Sequence, residues 1–302
     1  GDLHVIETAA KIFALPGLSW REDALPVVVI SHGFAGSQQL MQAFAAALAR
    51  NGYLAVTFDY LGHGRNLEPL GGDVTRVDGA TRLLLEQTRE VVDYALGQPD
   101  AGEGLAVLGH SMASDVVVRY AQGDPRVDAT IAISLFSPAV TADSPRNLLI
   151  VNGAFEGYLE REALRVLGLV TDQPELGVTY GTFADGSARR AAAAPWVEHV
   201  GVLYSSSAQA EAITWLNAVF DHEGSGYLDY RGLAILLLLA GLVLLAWPLS
   251  KLLPRVATPP RGLAPRWREL LPAALIPAVL TPLVLVAFPA DFLGMLVGGY
   301  LG

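Results

Sequence analysis

No charged residue occurs between Gly232 and Ser250, a run of 19 residues of which nine are leucine. As an α-helix at ~1.5 Å per residue this run is roughly 28 Å long, close to the thickness of a bilayer's hydrocarbon core. A helix that is apolar all round needs apolar surroundings on every side, and the outer layer of a soluble α/β domain offers them on one side only. Each central leucine favours insertion by about 0.5 kcal/mol, so the nine outweigh two glycines and Pro248. The run therefore reads as a membrane helix over 232–250. A second uncharged stretch, 270–290, carries Pro272, Pro277, Pro282 and Pro289, which predicts a kinked or irregular membrane segment. Apolar residues from Phe292 onward read as the start of a further span. With 52% hydrophobic residues and a mean hydropathy of +0.39, the chain is more apolar than a soluble domain.

Charge divides the chain at the same place. Residues 1–230 hold 28 Asp/Glu against 14 Lys/Arg, whereas the remainder holds six basic and two acidic residues. An acidic body excludes nucleic acid as a partner. Lys251, Arg255, Arg261, Arg266 and Arg268 crowd the loop 251–268 between the two apolar segments. By the positive-inside rule that loop is cytoplasmic and the body is extracytoplasmic, an orientation that calls for an export segment upstream of Gly1. Neither apolar segment contains an ionisable residue of the kind that marks an ion path, which disfavours transport. The absence of cysteine excludes a disulfide, a thiolate nucleophile and a Cys-ligated metal.

Within the body, short apolar runs alternate with amphipathic ones. Strands are expected at Leu3–Thr8, Pro26–Ser31, Tyr53–Asp59, Leu105–Leu108, Ala129–Ser134 and Asn147–Asn152. Runs such as "PVVVIS" and "NLLIVN" are continuously aliphatic, as strands buried on both faces of a parallel sheet must be. Helices are expected at Gln38–Arg50, Asp78–Leu96, Met112–Ala121, Tyr158–Leu167 and Ser207–Phe220, with Ser37 as an N-cap and Asn51-Gly52 as a stop. This alternation predicts a doubly wound, mostly parallel α/β sheet over 1–222, a linker at 223–231 and a helical membrane region over 232–302.

The chemistry concentrates at "VLGHSMASD". Gly109-His110-Ser111-Met112-Ala113 follows a strand and opens a helix, with small residues at the positions where a chain turning sharply around a serine needs them. A serine hydroxyl is a poor nucleophile unless a base, an orienting carboxylate and oxyanion donors surround it. "ISHGFAGS" at 30–37 supplies a tight turn after a strand. "FDYLGHGRN" lies at 58–66, and His199 stands in a loop before the last helix of the body.

These four stretches, in this order, resemble the α/β-hydrolase superfamily over residues 1–220, and its cap-poor esterase and dienelactone-hydrolase branch in particular. The resemblance implies Ser111 as nucleophile, His199 as general base and acid, and the backbone N–H groups of Phe34 and Met112 as the oxyanion hole. The alanine at 113 departs from the usual glycine. For the orienting acid it points first to Glu156, after "NLLIVNG", with Asp185 as the alternative and Asp143 behind it. His32, His63 and Asp59 read as loop anchors and His110 as a pocket or packing residue. No metal and no cofactor is expected, since no His/carboxylate pair shows ligand spacing and the glycines form no dinucleotide fingerprint. The expected function is a membrane-anchored carboxylesterase working through an acyl-serine on small, lipid-derived or cell-envelope esters. A thioesterase, amidase or peptidase of the same fold, and a non-catalytic binding domain, are the alternatives.

Overall fold

The computed structural model describes residues 24–73, 76–254 and 267–287. The strand expected at Leu3–Thr8 and the span expected from Phe292 lie outside them, as does most of the basic loop. Contacts divide the chain into two units, Gly1–Gly241 and Leu242–Gly302.

Among its described residues the first unit is built on seven strands: β1 Leu25–Ser31, β2 Leu54–Thr57, β3 Ala101–His110, β4 Val127–Ile133, β5 Leu148–Gly153, β6 Thr179–Tyr180 and β7 Arg189–Ala194. They are ordered β2-β1-β3-β4-β5-β7-β6, parallel throughout except for β6, which runs against β7. Successive side chains of a strand point to opposite faces, and β1 shows the result. Val28 and Ile30 pack with Phe44, Leu48, Trp215 and Leu216 on one face, while Val27 and Val29 pack with Leu84, Val91 and Val117 on the other. Both faces are covered, and for this reason the strands are continuously apolar.

The helices that cover them are α1 Gln42–Arg50, α2 Arg82–Leu96, α3 Met112–Gly123, α4 Gly157–Leu167 and α5 Ser206–Phe220. The single helix expected at Gln38–Arg50 is divided: Gln38–Met41 forms a 3₁₀ turn, and Ser37 makes no side-chain cap. The helix expected from Asp78 is likewise interrupted at Gly79, and a regular α-helix begins at Arg82.

β7 departs most from expectation. "RRAAAA" has weak strand propensity, and its extended form is fixed by six-residue pairing with β5. The short β6 precedes it inside what reads in sequence as a loop, 171–190.

Two apolar helices follow: α6 Arg231–Ser250 and α7 Trp267–Ala287. Among the described residues α6 is the one helix long and apolar enough to cross a membrane, and its leucines are exposed. Within α7 the apolar stretch is shorter, Leu270–Thr281, and Pro272 and Pro277 sit inside an unbroken helix.

Candidate active site

Strand β3 ends at His110 and α3 begins at Met112, so the whole reversal falls on Ser111. Its backbone is left-handed, with φ +55° and ψ −119°, a conformation costing a residue with a Cβ of order 1 kcal/mol or more. Neighbours hold it there. Ser111 N–H donates to Ile133 O at 2.9 Å, and Ser114 N–H donates to Ser111 O at 2.8 Å. Gly109 must be glycine, because a Cβ there would lie 2.3 Å from Ala113 O. The Ala113 side chain is fully buried.

His199 stands in the loop after β7, with its ring about one third exposed. The Ser111 hydroxyl lies 2.8 Å from Nε2 and Glu156 Oε1 lies 2.5 Å from Nδ1. An ionised carboxylate only accepts, so Nδ1 carries the proton and Nε2 is free to accept from the serine. Glu156, in the turn after β5, is buried, and its other oxygen accepts from Gly153 N–H at 2.6 Å and from the Ser134 hydroxyl at 2.8 Å. Burial alone would raise its pKa. The hydrogen bonds from His199, Gly153 and Ser134 outweigh burial and hold it below its ordinary value.

The turn after β1 rests against this centre. A Cβ on Gly33 would lie 2.9 Å from Ser111 Cβ and 3.0 Å from His110 Nδ1, so a glycine is what lets the loop approach and sets Phe34 beside the reversal. The Met112 N–H belongs to the first turn of α3, where helix donors have no intrahelical acceptor. His110 Nε2–H donates to the carbonyl of His199 at 2.8 Å, tying the histidine loop to the serine turn. Burial, and then the neighbouring His199, push its pKa down to about 4.

The remaining candidates lie elsewhere. Asp185 is exposed and accepts from Ser187 N–H within its own turn. Asp143 is exposed near Arg189. Asp59 is buried and accepts from Gln38 N–H, Gln38 Nε2 and Arg65 N–H. His32 donates through Nδ1 to Gly33 O and accepts at Nε2 from Tyr60 N–H, which fixes it neutral; burial lowers its pKa to about 4. The sequence reading missed Ser134, whose φ of +55° turns its hydroxyl to Glu156. Its one signal is a polar residue ending the strand that lies beside β5.

This sheet and serine turn define an α/β-hydrolase of the serine-hydrolase type. The chain belongs to the family described as serine aminopeptidase, S33, which matches residues 22–172, half of its length. A ferulic acid esterase from Streptomyces cinnamoneus is 25% identical over 50% of this chain and 49% of its own, with a TM-score of 0.41. The chain thus spans about half the length of that esterase. The protein TT1662 from Thermus thermophilus is 16% identical over 67% of this chain and 92% of its own, with a TM-score of 0.45. Methylesterase BT1017 is 18% identical over 70% and 52%, with a TM-score of 0.50, a likeness of fold. No curated protein matches the chain significantly.

Proposed function

We propose that the protein is a membrane-anchored carboxylesterase in which Ser111, His199 and Glu156 act as a catalytic triad. The observation that carries this reading is the continuous run of contacts from Ser111 Oγ through both ring nitrogens of His199 to Glu156, at 2.8 and 2.5 Å. Ser111 Oγ attacks the ester carbonyl as its proton passes to His199 Nε2, and Glu156 steadies the imidazolium. The backbone N–H groups of Phe34 and Met112 meet the oxyanion. His199 returns the proton to the departing alcohol, then takes one from the water that cleaves the acyl-serine.

The exposed groups around the centre favour an apolar acyl group. Phe34, Phe136, Phe155 and Trp196 stand on the loops after β1, β4, β5 and β7. The family's description favours a second reading, release of an N-terminal residue from a peptide. Glu198 adjoins His199 in sequence as a carboxylate for a free amino group, but it already accepts from Val200 and Gly201 N–H. Comparing kcat/KM for p-nitrophenyl esters and aminoacyl p-nitroanilides separates the two.

Anchoring rests on α6, whose 20 residues reach about 30 Å. The basic residues after it favour a cytoplasmic side for the intervening loop, which a reporter fused after Pro259 tests. The decisive experiment for the enzyme is a fluorophosphonate probe. It should label the wild type and not Ser111→Ala; an unlabelled wild type overturns the hydrolase reading.

A further inference from the structure

The catalytic loops all follow the C-terminal ends of parallel strands. Helices α1 and α5 start at that edge and run back to the other. The end of α5 lies against the beginning of β3, where a Cβ on Gly104 would meet Phe220 at 2.7 Å. A tether whose only task was to join body and membrane would leave there, just after Asp221.

The chain does not leave there. Nine residues without regular structure, 222–230, carry it back along α1 and α5. Extended, they reach about 30 Å, enough to retrace the ~22 Å of the 15-residue α5. The return is clamped at both ends. At the N-terminal edge of the strands, His222 Nε2 donates to Asn51 O, Asn51 Nδ2 donates to Tyr227 O and Gly226 N–H donates to Asn51 Oδ1. At the C-terminal edge the buried Gln209 exchanges two hydrogen bonds with the Asp229 backbone, at 2.7 and 3.0 Å. Arg231 then pairs with Asp229 and reaches Gln42 Oε1, while a Cβ on Gly232 would press on Tyr204.

The point of departure of α6 is therefore set beside the catalytic loops. A cleft of about 590 Å³ opens there, walled by Leu40, Tyr204, Tyr227, Tyr230 and Ile235 among others. Leu40 lies one short turn beyond the Gly33–Phe34 loop, and Tyr204 one beyond His199. The leucines that follow within this unit, Leu233 and Leu236 to Leu239, are exposed. On the same edge Trp196 is 84% exposed, Phe155 64%, and Phe34 and Phe136 51% each. Aromatic side chains exposed to this degree are the kind that settle at a headgroup interface.

We infer that the catalytic mouth faces the bilayer that α6 enters, and that the enzyme cleaves acyl esters resident in that bilayer. This rests on the anchored-hydrolase reading above and adds the side from which substrate arrives. The aromatic rim lies at headgroup depth, and the ester reaches Ser111 from the membrane plane instead of from bulk water.

The test uses the full chain in phosphatidylcholine vesicles. Because the chain has no cysteine, Trp196→Cys and Phe155→Cys each place a single nitroxide on the rim, and Glu103→Cys places one at the other edge of the sheet. The nitroxides at 196 and 155 should collide more with oxygen than with a water-soluble nickel chelate, and the one at 103 should behave as in water. Rim labels as wet as the one at 103, or a deeper label at 103, overturn the inference. So does protein that fails to float with the vesicles. With p-nitrophenyl palmitate in the same vesicles, added inert lipid at constant bulk ester should lower the rate in proportion to the dilution; an unchanged rate overturns the inference. Fluorophosphonate labelling of Ser111 in those vesicles is scored separately. Labelling with the wrong label depths sinks the orientation alone, and correct depths without labelling sink the hydrolase reading.

Discussion

The two edges of the parallel sheet solve the same problem with different residues. At the N-terminal edge, left-handed backbone falls to Gly52, Gly104, Asn147 and Asp221, residue types that tolerate it. At the C-terminal edge Gly62 and Gly64 take it after β2, but it also falls on Ala35, Ser111, Ser134 and Trp196, which do not tolerate it so readily. One edge is built for ease of folding; the other holds side chains in place against a backbone cost. Strain of this kind persists only where surrounding structure over-determines it, and here it coincides with the serine, the support of the acid and the aromatic rim.

The sharpest break of this contrast is chemical. Ser111→Ala and His199→Ala should each lower turnover by about 10⁴- to 10⁶-fold, leaving the residual rate of the oxyanion donors. Steady-state hydrolysis of a p-nitrophenyl ester measures it, and a loss below tenfold would remove the C-terminal edge from the chemistry. Glu156→Gln should cost about 10³-fold, whereas Asp185→Asn, exposed and bound in its own turn, should leave kcat unchanged. The reverse ranking would transfer the acid's role to Asp185. Gly109→Ala should destabilise by about 3 kcal/mol, from the clash with Ala113 O; urea denaturation reads this directly.

Acid should act on the C-terminal edge as well. His32 and His110 are held at about 4, so between pH 6.5 and 4 the unfolded chain binds protons that the native chain refuses. Stability is therefore complete above 6.5 and falls as pH drops through that window, by about 1 kcal/mol per pH unit for each histidine. His110→Gln should roughly halve the slope while keeping a donor to the His199 carbonyl. The depressed pKa of Glu156 adds stability above its ordinary 4.5, lost only as pH falls below that value. The smallest effect is the most specific. Ser111→Gly should abolish activity yet raise stability by about 1 kcal/mol, because glycine relieves the left-handed turn. Asn147→Gly at the other edge should bring no such gain.

Reading sequence alone reached different depths in different places. The interior strands were legible because burial on both faces forces a continuous aliphatic run, as in "PVVVIS". β7 was not, because "RRAAAA" is extended only by virtue of its pairing with β5. Ser111, Glu156 and His199 were read from their order along the chain, and His199 lies within hydrogen-bond distance of both of the others. The support of Glu156 by Ser134 and of the His199 loop by His110 was hidden. Both contacts exist only because neighbouring strands place distant residues side by side.

The hydrogen bonds between His199 and its partners close over 88 residues to Ser111 and 43 to Glu156. Contacts so distant in sequence form late, since the loops between them lose their entropy first. Neither half of the sheet can assemble this centre alone. During refolding from urea, reactivity toward the fluorophosphonate should therefore return with the slowest phase of tertiary structure, well after helical signal has recovered. Reactivity of Ser111 toward the probe is a timestamp for the completed sheet, and a chain stalled partway should show none.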